Sequence, residues 1–250
     1  MKALVTGASS GIGMEIAKYL DKIGYEVILV ARDKEKLESV AKMLTHKPKI
    51  IVMDLSQVED IKSLYVLVKN DDIDILVNNA GFGLCGNFID TDLSKELNMI
   101  DLNIKSVHIL TKLFLKDMKR KNKGYILNVA SSAAFQSGPL MGTYYATKSY
   151  VYRLTEAINY ELETENINVK LSCLCPGPVD TNFNNVAGVN FSVKPLTADY
   201  VAKYAIDKML EGKMLIIPGF KMKCAKFFGR FLSDKMVMRF AYKIQKKKLK

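Results

Sequence analysis

The sequence predicts an α/β protein: a doubly wound parallel sheet of about seven strands, flanked by helices and followed by a helical extension. Three observations predict it. Short apolar β-runs alternate with helical patterns along most of the 250 residues, the order of repeated β-α-β units with right-handed crossovers. Runs such as Ile73-Asp74-Ile75-Leu76-Val77 are almost continuously apolar, as in a sheet covered on both faces. The first run passes through a glycine-rich turn directly into a first helix. The length suits one such domain, and 49% hydrophobic with 25% charged residues is the balance of a folded chain rather than a disordered one.

Taken in order, Lys2–Thr6 reads as a strand and Gly11–Ile23 as a helix. Glu26–Ala31 is a strand, followed by a helix from about Asp33 to Leu44. Strands Ile50–Met53 and Ile73–Val77 enclose a helix near Gln57–Lys69, and one long helix is expected from Leu93 to Lys121. Strand Tyr125–Val129, helix Thr143–Glu165, strand Val169–Leu174, helix Ala198–Leu210 and the short strand Met214–Ile217 complete the body. Ligands in such sheets bind beyond the carboxyl ends of the strands. The stretch from Pro176 to about Pro195 lacks periodicity, carries Phe183 and Phe191, and has the length of an active-site lid. The expected division is a catalytic and dinucleotide-binding domain over 1–217 and a basic extension over 218–250.

Composition excludes several function classes. No uninterrupted apolar run is long enough to span a bilayer, and no apolar leader precedes the first strand, so a cytoplasmic protein is expected. Cys85, Cys173, Cys175 and Cys224 do not combine with His46 and His108 at metal-ligand spacing, so no metal is expected. Cys173 and Cys175 point to one face of a strand as free thiols. The net charge of +11 is unevenly placed. From Lys213 to Lys250 there are 12 Lys and Arg against the single acid Asp234, while the remainder balances 25 bases with 25 acids. The excess therefore concerns what the tail meets.

The turn after the first strand reads Thr6-Gly7-Ala8-Ser9-Ser10-Gly11-Ile12-Gly13. Glycines there let backbone approach a pyrophosphate, and the helix that follows offers free N–H groups and a positive dipole end. At the end of the second strand, Val30-Ala31-Arg32-Asp33 lacks the carboxylate that would accept from a ribose 2′-hydroxyl. Arg32 supplies a cation for a 2′-phosphate, and Asp33 is placed to cap the next helix. These positions point to NADP(H). Further on, Tyr144 and Lys148 lie four apart on one helix face. A phenol is a poor acid–base catalyst at neutral pH unless a neighbour such as an ammonium group shifts it.

Several features occur in the order found in short-chain dehydrogenases/reductases: the glycine turn, Asn78-Asn79-Ala80-Gly81, Asn103, Ser131 thirteen residues before Tyr144, Tyr144-xxx-Lys148 and Pro176-Gly177. Over residues 2–217 the chain resembles that family, whose fold is of the Rossmann type. The resemblance implies that Tyr144 exchanges a proton with the substrate oxygen and that Ser131 hydrogen-bonds and orients it. It implies that Lys148 holds the nicotinamide ribose and lowers the Tyr144 pKa, while Asn103 helps hold a water of the proton relay. Around the cofactor it implies Gly7, Ser9, Ser10, Gly11, Ile12 and Gly13 at the pyrophosphate, and Arg32 at the 2′-phosphate. Asp54 and Leu55 would meet the adenine, Asn78, Ala80 and Gly81 would line the groove, and Pro176, Gly177, Val179 and Thr181 would position the carboxamide. Tyr145 fails the family spacing to Lys148, and Ser132 fails the spacing to Tyr144. Members commonly pair through the long helices, so a homodimer or homotetramer is expected.

Beyond Pro218-Gly219 the pattern suggests two amphipathic helices. One carries Cys224, Phe227, Phe228, Phe231 and Leu232. The other is capped by Ser233-Asp234 and carries Met236, Val237, Phe240, Ala241 and Ile244, with Lys235, Arg239, Lys243, Lys246 and Lys247 largely off the stripe. Such a tail can cover the substrate cleft or a neighbouring subunit, hold the chain at a membrane surface, or attract an acidic partner such as an acyl carrier protein. No nucleic-acid motif accompanies the charge, so nucleic acid is not expected. The step Ile216-Ile217-Pro218-Gly219 with a basic end resembles uncharacterised bacterial members of the family and relatives acting on steroids or fatty acyl chains. The function read from these residues is NADP(H)-dependent reduction of a hydrophobic ketone or aldehyde. The alternatives are 3-ketoacyl thioester reduction and, in another class, a non-catalytic NADP(H) sensor or membrane-associated scaffold.

Overall fold

Seven parallel strands lie in the order β3-β2-β1-β4-β5-β6-β7 in the computed structural model, which describes residues 1–183, 195–229 and 231–248. They are β1 (Lys2–Thr6), β2 (Glu26–Ala31), β3 (Lys49–Val52), β4 (Ile73–Asn78), β5 (Gly124–Val129), β6 (Val169–Leu174) and β7 (Leu215–Ile216). The near-continuous apolar runs are explained by period-two alternation into two cores. Ala3, Val5, Val27, Leu29, Ile75 and Val77 point to one face, where they meet Ile16 and Leu20 of α1 (Gly11–Lys22) and Val201, Ala205 and Ile206 of α7 (Ala198–Leu210). Leu4, Ile28, Val30, Leu76 and Ile126 point to the other, against Ile61 and Leu64 of α3 (Val58–Val68) and Leu110, Phe114 and Met118 further along.

The chain winds outward from β1 through β2 to β3, with α2 (Lys34–Ala41) between the last two, then returns to place β4 beside β1. That reversal opens a crevice at the carboxyl ends of the strands, where ligands bind in open α/β sheets.

The long helix expected over Leu93–Lys121 is interrupted. It consists of α4 (Leu93–Ile100), a π-helical turn over Asp101–Ser106, and α5 (Val107–Lys121). The Ser106 hydroxyl donates to the Leu102 carbonyl inside this turn, and such turns often mark functional positions. A short 3₁₀ turn, Ser132–Phe135, precedes α6 (Gly142–Thr164). Val179 bridges Leu196, and Asp180 N–H donates to the Leu196 carbonyl at 2.9 Å, which ties together the two described ends of the Pro176–Pro195 segment. Most of that segment, including Phe191, lies outside the described residues, as does the side chain of Lys247. The tail forms the two expected helices, α8 (Phe220–Gly229) and α9 (Asp234–Lys248). Among the described residues no helix is long and apolar enough to cross a membrane.

Candidate active site

At the crevice, β1 ends in a turn that the neighbouring strand holds shut. The Thr6 hydroxyl donates to the Val77 carbonyl at 3.1 Å and accepts from the Asn79 and Ala80 N–H groups at 3.0 and 3.1 Å. The Asn79 amide donates to the carbonyls of Thr6 and Gly7, both at 3.1 Å. Gly7 sits at φ +63°, a left-handed conformation that side chains other than glycine's disfavour. The chain then enters α1 with Ser10 at the N-cap and no side-chain cap hydrogen bond, so the first N–H groups of the helix face the crevice without one. Gly7, Ser9, Ser10, Gly11 and Ile12 all line a cleft of about 1030 Å³.

One end of the cleft is lined by paired charges. Arg32 and Lys36 line it with Asp33, Asp54 and Leu55, and Lys36 pairs with Asp33 at 2.8 Å. Arg32 lies 3.6 Å from the Asp54 carboxylate, but its side chain is 62% exposed, so water screens the pair. Asp54 also accepts from the N–H and hydroxyl of Ser56 at 3.0 and 2.9 Å. Asp33 caps α2, accepting from Lys36 N–H at 3.0 Å. Its position as a cap leaves Arg32 as the charged residue at the end of β2.

The other end holds the titratable cluster. Tyr144 and Lys148 project from α6 and are both buried. Burial pushes the Tyr144 phenol up to about 12, with the Ser131 hydrogen bond as an opposing influence and Tyr145 and Cys175 adding to the rise. Burial pulls the Lys148 amine down to about 8, against the pull of Cys173 and Cys175. The amine donates to the Val129 carbonyl at 2.9 Å and stands 5.9 Å from the centre of the Tyr144 ring. The resemblance implied a Tyr144 pKa depressed by the lysine; here desolvation dominates and the phenol is held protonated. Ser131 caps the 3₁₀ turn, its hydroxyl accepting from Ala133 N–H at 3.1 Å. Ala80, Gly81, Pro176, Gly177, Val179 and Thr181 line the cleft between the two ends.

Asn103 stands behind this cluster. Fully buried in the π-helical turn, it accepts from Phe82 N–H at 3.1 Å and donates to the Phe82 carbonyl at 2.9 Å and the Thr147 hydroxyl at 3.1 Å. A Cβ on Gly81 would lie 2.7 Å from Asn103 Oδ1 and 3.4 Å from Lys148 Nζ, so these three residues converge.

Two expected groove residues face elsewhere. Asn78 turns into the sheet: its amide donates to Thr111 at 3.1 Å and to Asn128 at 2.8 Å, and Asn128 in turn donates to Thr155 at 3.0 Å. The network joins β4, β5, α5 and α6, and Asn79 takes the cleft position instead. Gly13 is absent from the lining because it packs under the turn, where an added Cβ would stand 2.3 Å from the Gly7 carbonyl.

Of the roles the sequence allowed the tail, covering the cleft is the one its contacts display, in part through Met222 and Gln245, which lie outside the two apolar stripes. Met222 of α8 and Ile244 and Gln245 of α9 line the cleft beside Phe82, Leu102, Met141, Tyr145 and Phe183. The buried Gln245 amide donates to the Tyr145 hydroxyl at 2.7 Å, and its Oε1 has no partner among the described residues. Phe183 tilts against Tyr144, ring centres 5.5 Å apart. The substrate end is thus apolar, with few fixed polar groups.

Residues 1–189 match the family model described as short chain dehydrogenase. The chain is 36% identical over 208 residues to the very-long-chain 3-oxoacyl-CoA reductase of Anas platyrhynchos, a match covering 80% of this chain and 66% of that protein, just under two thirds of its length. Among solved structures it is similar to a short-chain dehydrogenase from Sphingobium yanoikuyae in complex with NADPH, with a TM-score of 0.83, 25% identity and 92% of each chain covered. It shares its fold with a short-chain dehydrogenase/reductase from Burkholderia phymatum in complex with NAD, with a TM-score of 0.82, 23% identity and 90% and 91% of the two chains covered.

Proposed function

Because the chain belongs to the short-chain dehydrogenase family, and is therefore an oxidoreductase of carbonyl and alcohol groups, we propose that it uses NADP(H) to reduce a hydrophobic ketone or aldehyde. The observation that carries this reading is Tyr144: a buried, protonated phenol bonded to Ser131 at the foot of an apolar pocket, with Lys148 alongside. A protonated phenol is the form that gives a proton to a carbonyl oxygen. Ser131 fixes that oxygen, where negative charge develops. Lys148 holds the nicotinamide ribose. Asn103 locks the Phe82 backbone next to Lys148, the place from which a water relay would reach the amine. The bound nicotinamide supplies the hydride.

The residues present fit a dinucleotide: the uncapped start of α1 for the pyrophosphate, Ala80 and Gly81 along the groove, and Arg32 with Lys36 at the far end. Ala31 at the end of β2 carries no carboxylate for a ribose 2′-hydroxyl, and Asp33 nearby is engaged as the α2 cap and by Lys36, so Arg32 favours a 2′-phosphate over a bare ribose. Arg32→Ala is expected to raise the KM for NADPH about tenfold, the size of one lost charge-assisted hydrogen bond, while leaving the KM for NADH within about twofold. Steady-state kinetics with both cofactors checks this.

The pH dependence follows from Lys148. Its folded-state pKa lies near 8, so the ammonium is present below that value and lost above it. With Tyr144 still protonated, kcat/KM for carbonyl reduction is expected to be level below about pH 8 and to fall tenfold per unit above it. Lys148→Arg keeps its charge throughout and should remove that descending limb, whatever its absolute rate.

Residues 1–217 then form the catalytic body, and 218–250 an extension that contributes Met222, Ile244 and Gln245 to the substrate pocket. Leu93 and Leu97 on α4 and Tyr160 on α6 are left 68%, 51% and 72% exposed, which supports a homodimer through these helices. A second substrate reading, 3-ketoacyl thioester reduction, is favoured by the likeness to the duck reductase. The test is loss of NADPH absorbance across steroid ketones, long aldehydes, small diketones and 3-ketoacyl thioesters. Turnover of one class establishes the reading and names the substrate. Tight NADPH binding without any turnover would replace it with a sensor or scaffold.

A further inference from the structure

We propose that α8 and α9 form a docking surface for an anionic lipid bilayer. The first support is that α8 turns its phenylalanines away from the body. A helix with one apolar face normally buries that face. Here Met222 packs on the body, and beside it cations rather than phenylalanines hold the helix. Lys223 donates to the Tyr204 hydroxyl at 3.1 Å, and the Lys226 amine stands 4.8 and 5.4 Å from the ring centres of Phe135 and Tyr152. The phenylalanines face outward: Phe220, Phe227 and Phe228 are 80%, 57% and 62% exposed, and Phe231 beyond them 74%. No residue of α8 is buried. Phe227 packs edge-on to Phe228 and Phe231, so these three exposed rings form one cluster.

The second support is α9. Ala241 and Gln245, four residues apart, are buried, while Phe240 and Ile244 remain exposed among the exposed cations Lys235, Arg239, Lys243 and Lys246. The third is charge. Residues 213–250 hold 12 bases and one acid on an otherwise balanced protein.

These observations select one occupant. A second copy would bring two strongly basic faces together. A soluble polyanion would answer the cations but leave the rings in water. An anionic bilayer answers both, with headgroups for the cations and the headgroup–acyl boundary for the rings. Docking does not depend on the reaction proposed above. Because Ile244 and Gln245 belong to the same helix and line the cleft, it would bring the substrate mouth to the membrane.

The chain contains no tryptophan, so Phe228→Trp in the full-length protein gives a single reporter. Its emission is read against vesicles of phosphatidylcholine alone, or with phosphatidylglycerol, with and without bromine-labelled acyl chains. The expected result is a blue shift and bromine quenching with the anionic vesicles only, reversed by high salt. Combined Lys235→Glu, Arg239→Glu and Lys243→Glu should weaken partitioning more than about tenfold, since one basic residue near such a surface contributes roughly fivefold. An unchanged spectrum with anionic vesicles at low salt would overturn the proposal. So would a blue shift without lipid that grows with protein concentration, which would assign the face to a second copy of the chain.

Discussion

Tyr144→Phe is expected to bind NADPH with wild-type affinity and to turn over about 10²–10⁴-fold more slowly, the range lost with a positioned proton donor. The substitution removes one oxygen. The ring keeps its neighbours, with Tyr145 and Phe183 centred 6.1 and 5.5 Å away. The lost hydrogen bond is to Ser131, whose hydroxyl still accepts from Ala133 N–H, so stability should change by only about 1 kcal/mol. A large kinetic loss in a folded, cofactor-binding variant therefore reports chemistry. Tyr145→Phe is the matched control. It also lies at the substrate end, but its hydroxyl is committed to Gln245, and its loss should alter KM more than kcat. Rapid-mixing single turnovers, with NADPH binding followed by fluorescence, separate the two effects. If Tyr144→Phe retained wild-type turnover, proton donation would have to come from elsewhere in the cluster. The Lys148 amine, near 8, would then be the next donor to remove.

The strands were legible because burial on both faces leaves a simple trace, short apolar runs separated by turns, and β1, β2 and β6 begin and end where that trace does. The catalytic set was legible because Ser131, Tyr144 and Lys148 occur at a characteristic spacing. What escaped depends on contacts distant in sequence. Asn78 and Asn79 are neighbours in one motif, and neighbours on a strand end face opposite ways. Which of them meets the cleft is decided by Asn128, which stands opposite Asn78 across β4 and β5. That polar residue in the apolar run Tyr125–Val129 was the available signal. The π-helical turn around Asn103 is one inserted residue in an otherwise continuous helical pattern, too small a phase change for periodicity to expose. The tail's two amphipathic helices could be read, but their orientation could not. An apolar stripe predicts a buried face, whereas α8 is held by Met222, Lys223 and Lys226 and leaves its phenylalanines exposed. Gln245 reaches Tyr145 across 100 residues of chain, a contact without local trace.

Gly13→Ala is expected to lower Tm by about 6–12 °C, corresponding to roughly 3 kcal/mol in a chain of this size. The motif alone makes Gly13 a cofactor residue, but the contacts make it a packing residue. Its added Cβ would stand 2.3 Å from the Gly7 carbonyl oxygen and 2.4 Å from the Asn79 amide nitrogen, far inside van der Waals contact. The carbonyl is backbone and cannot swing away. The Asn79 amide is held by hydrogen bonds to Thr6 and Gly7, and moving it would sacrifice them. The start of α1 must therefore lift off the turn, and the cofactor end loosens as a consequence. Gly142→Ala is the control, since its Cβ would meet nothing within 4 Å and alanine is the better helix former. Its Tm should stay level or rise slightly. Thermal denaturation without and with saturating NADPH distinguishes the two roles of Gly13. A packing residue lowers Tm in both conditions by similar amounts. A Gly13→Ala protein that melts like wild type on its own, yet is no longer stabilised by NADPH, would return Gly13 to the pyrophosphate and leave the close approach to Gly7 without consequence for the fold.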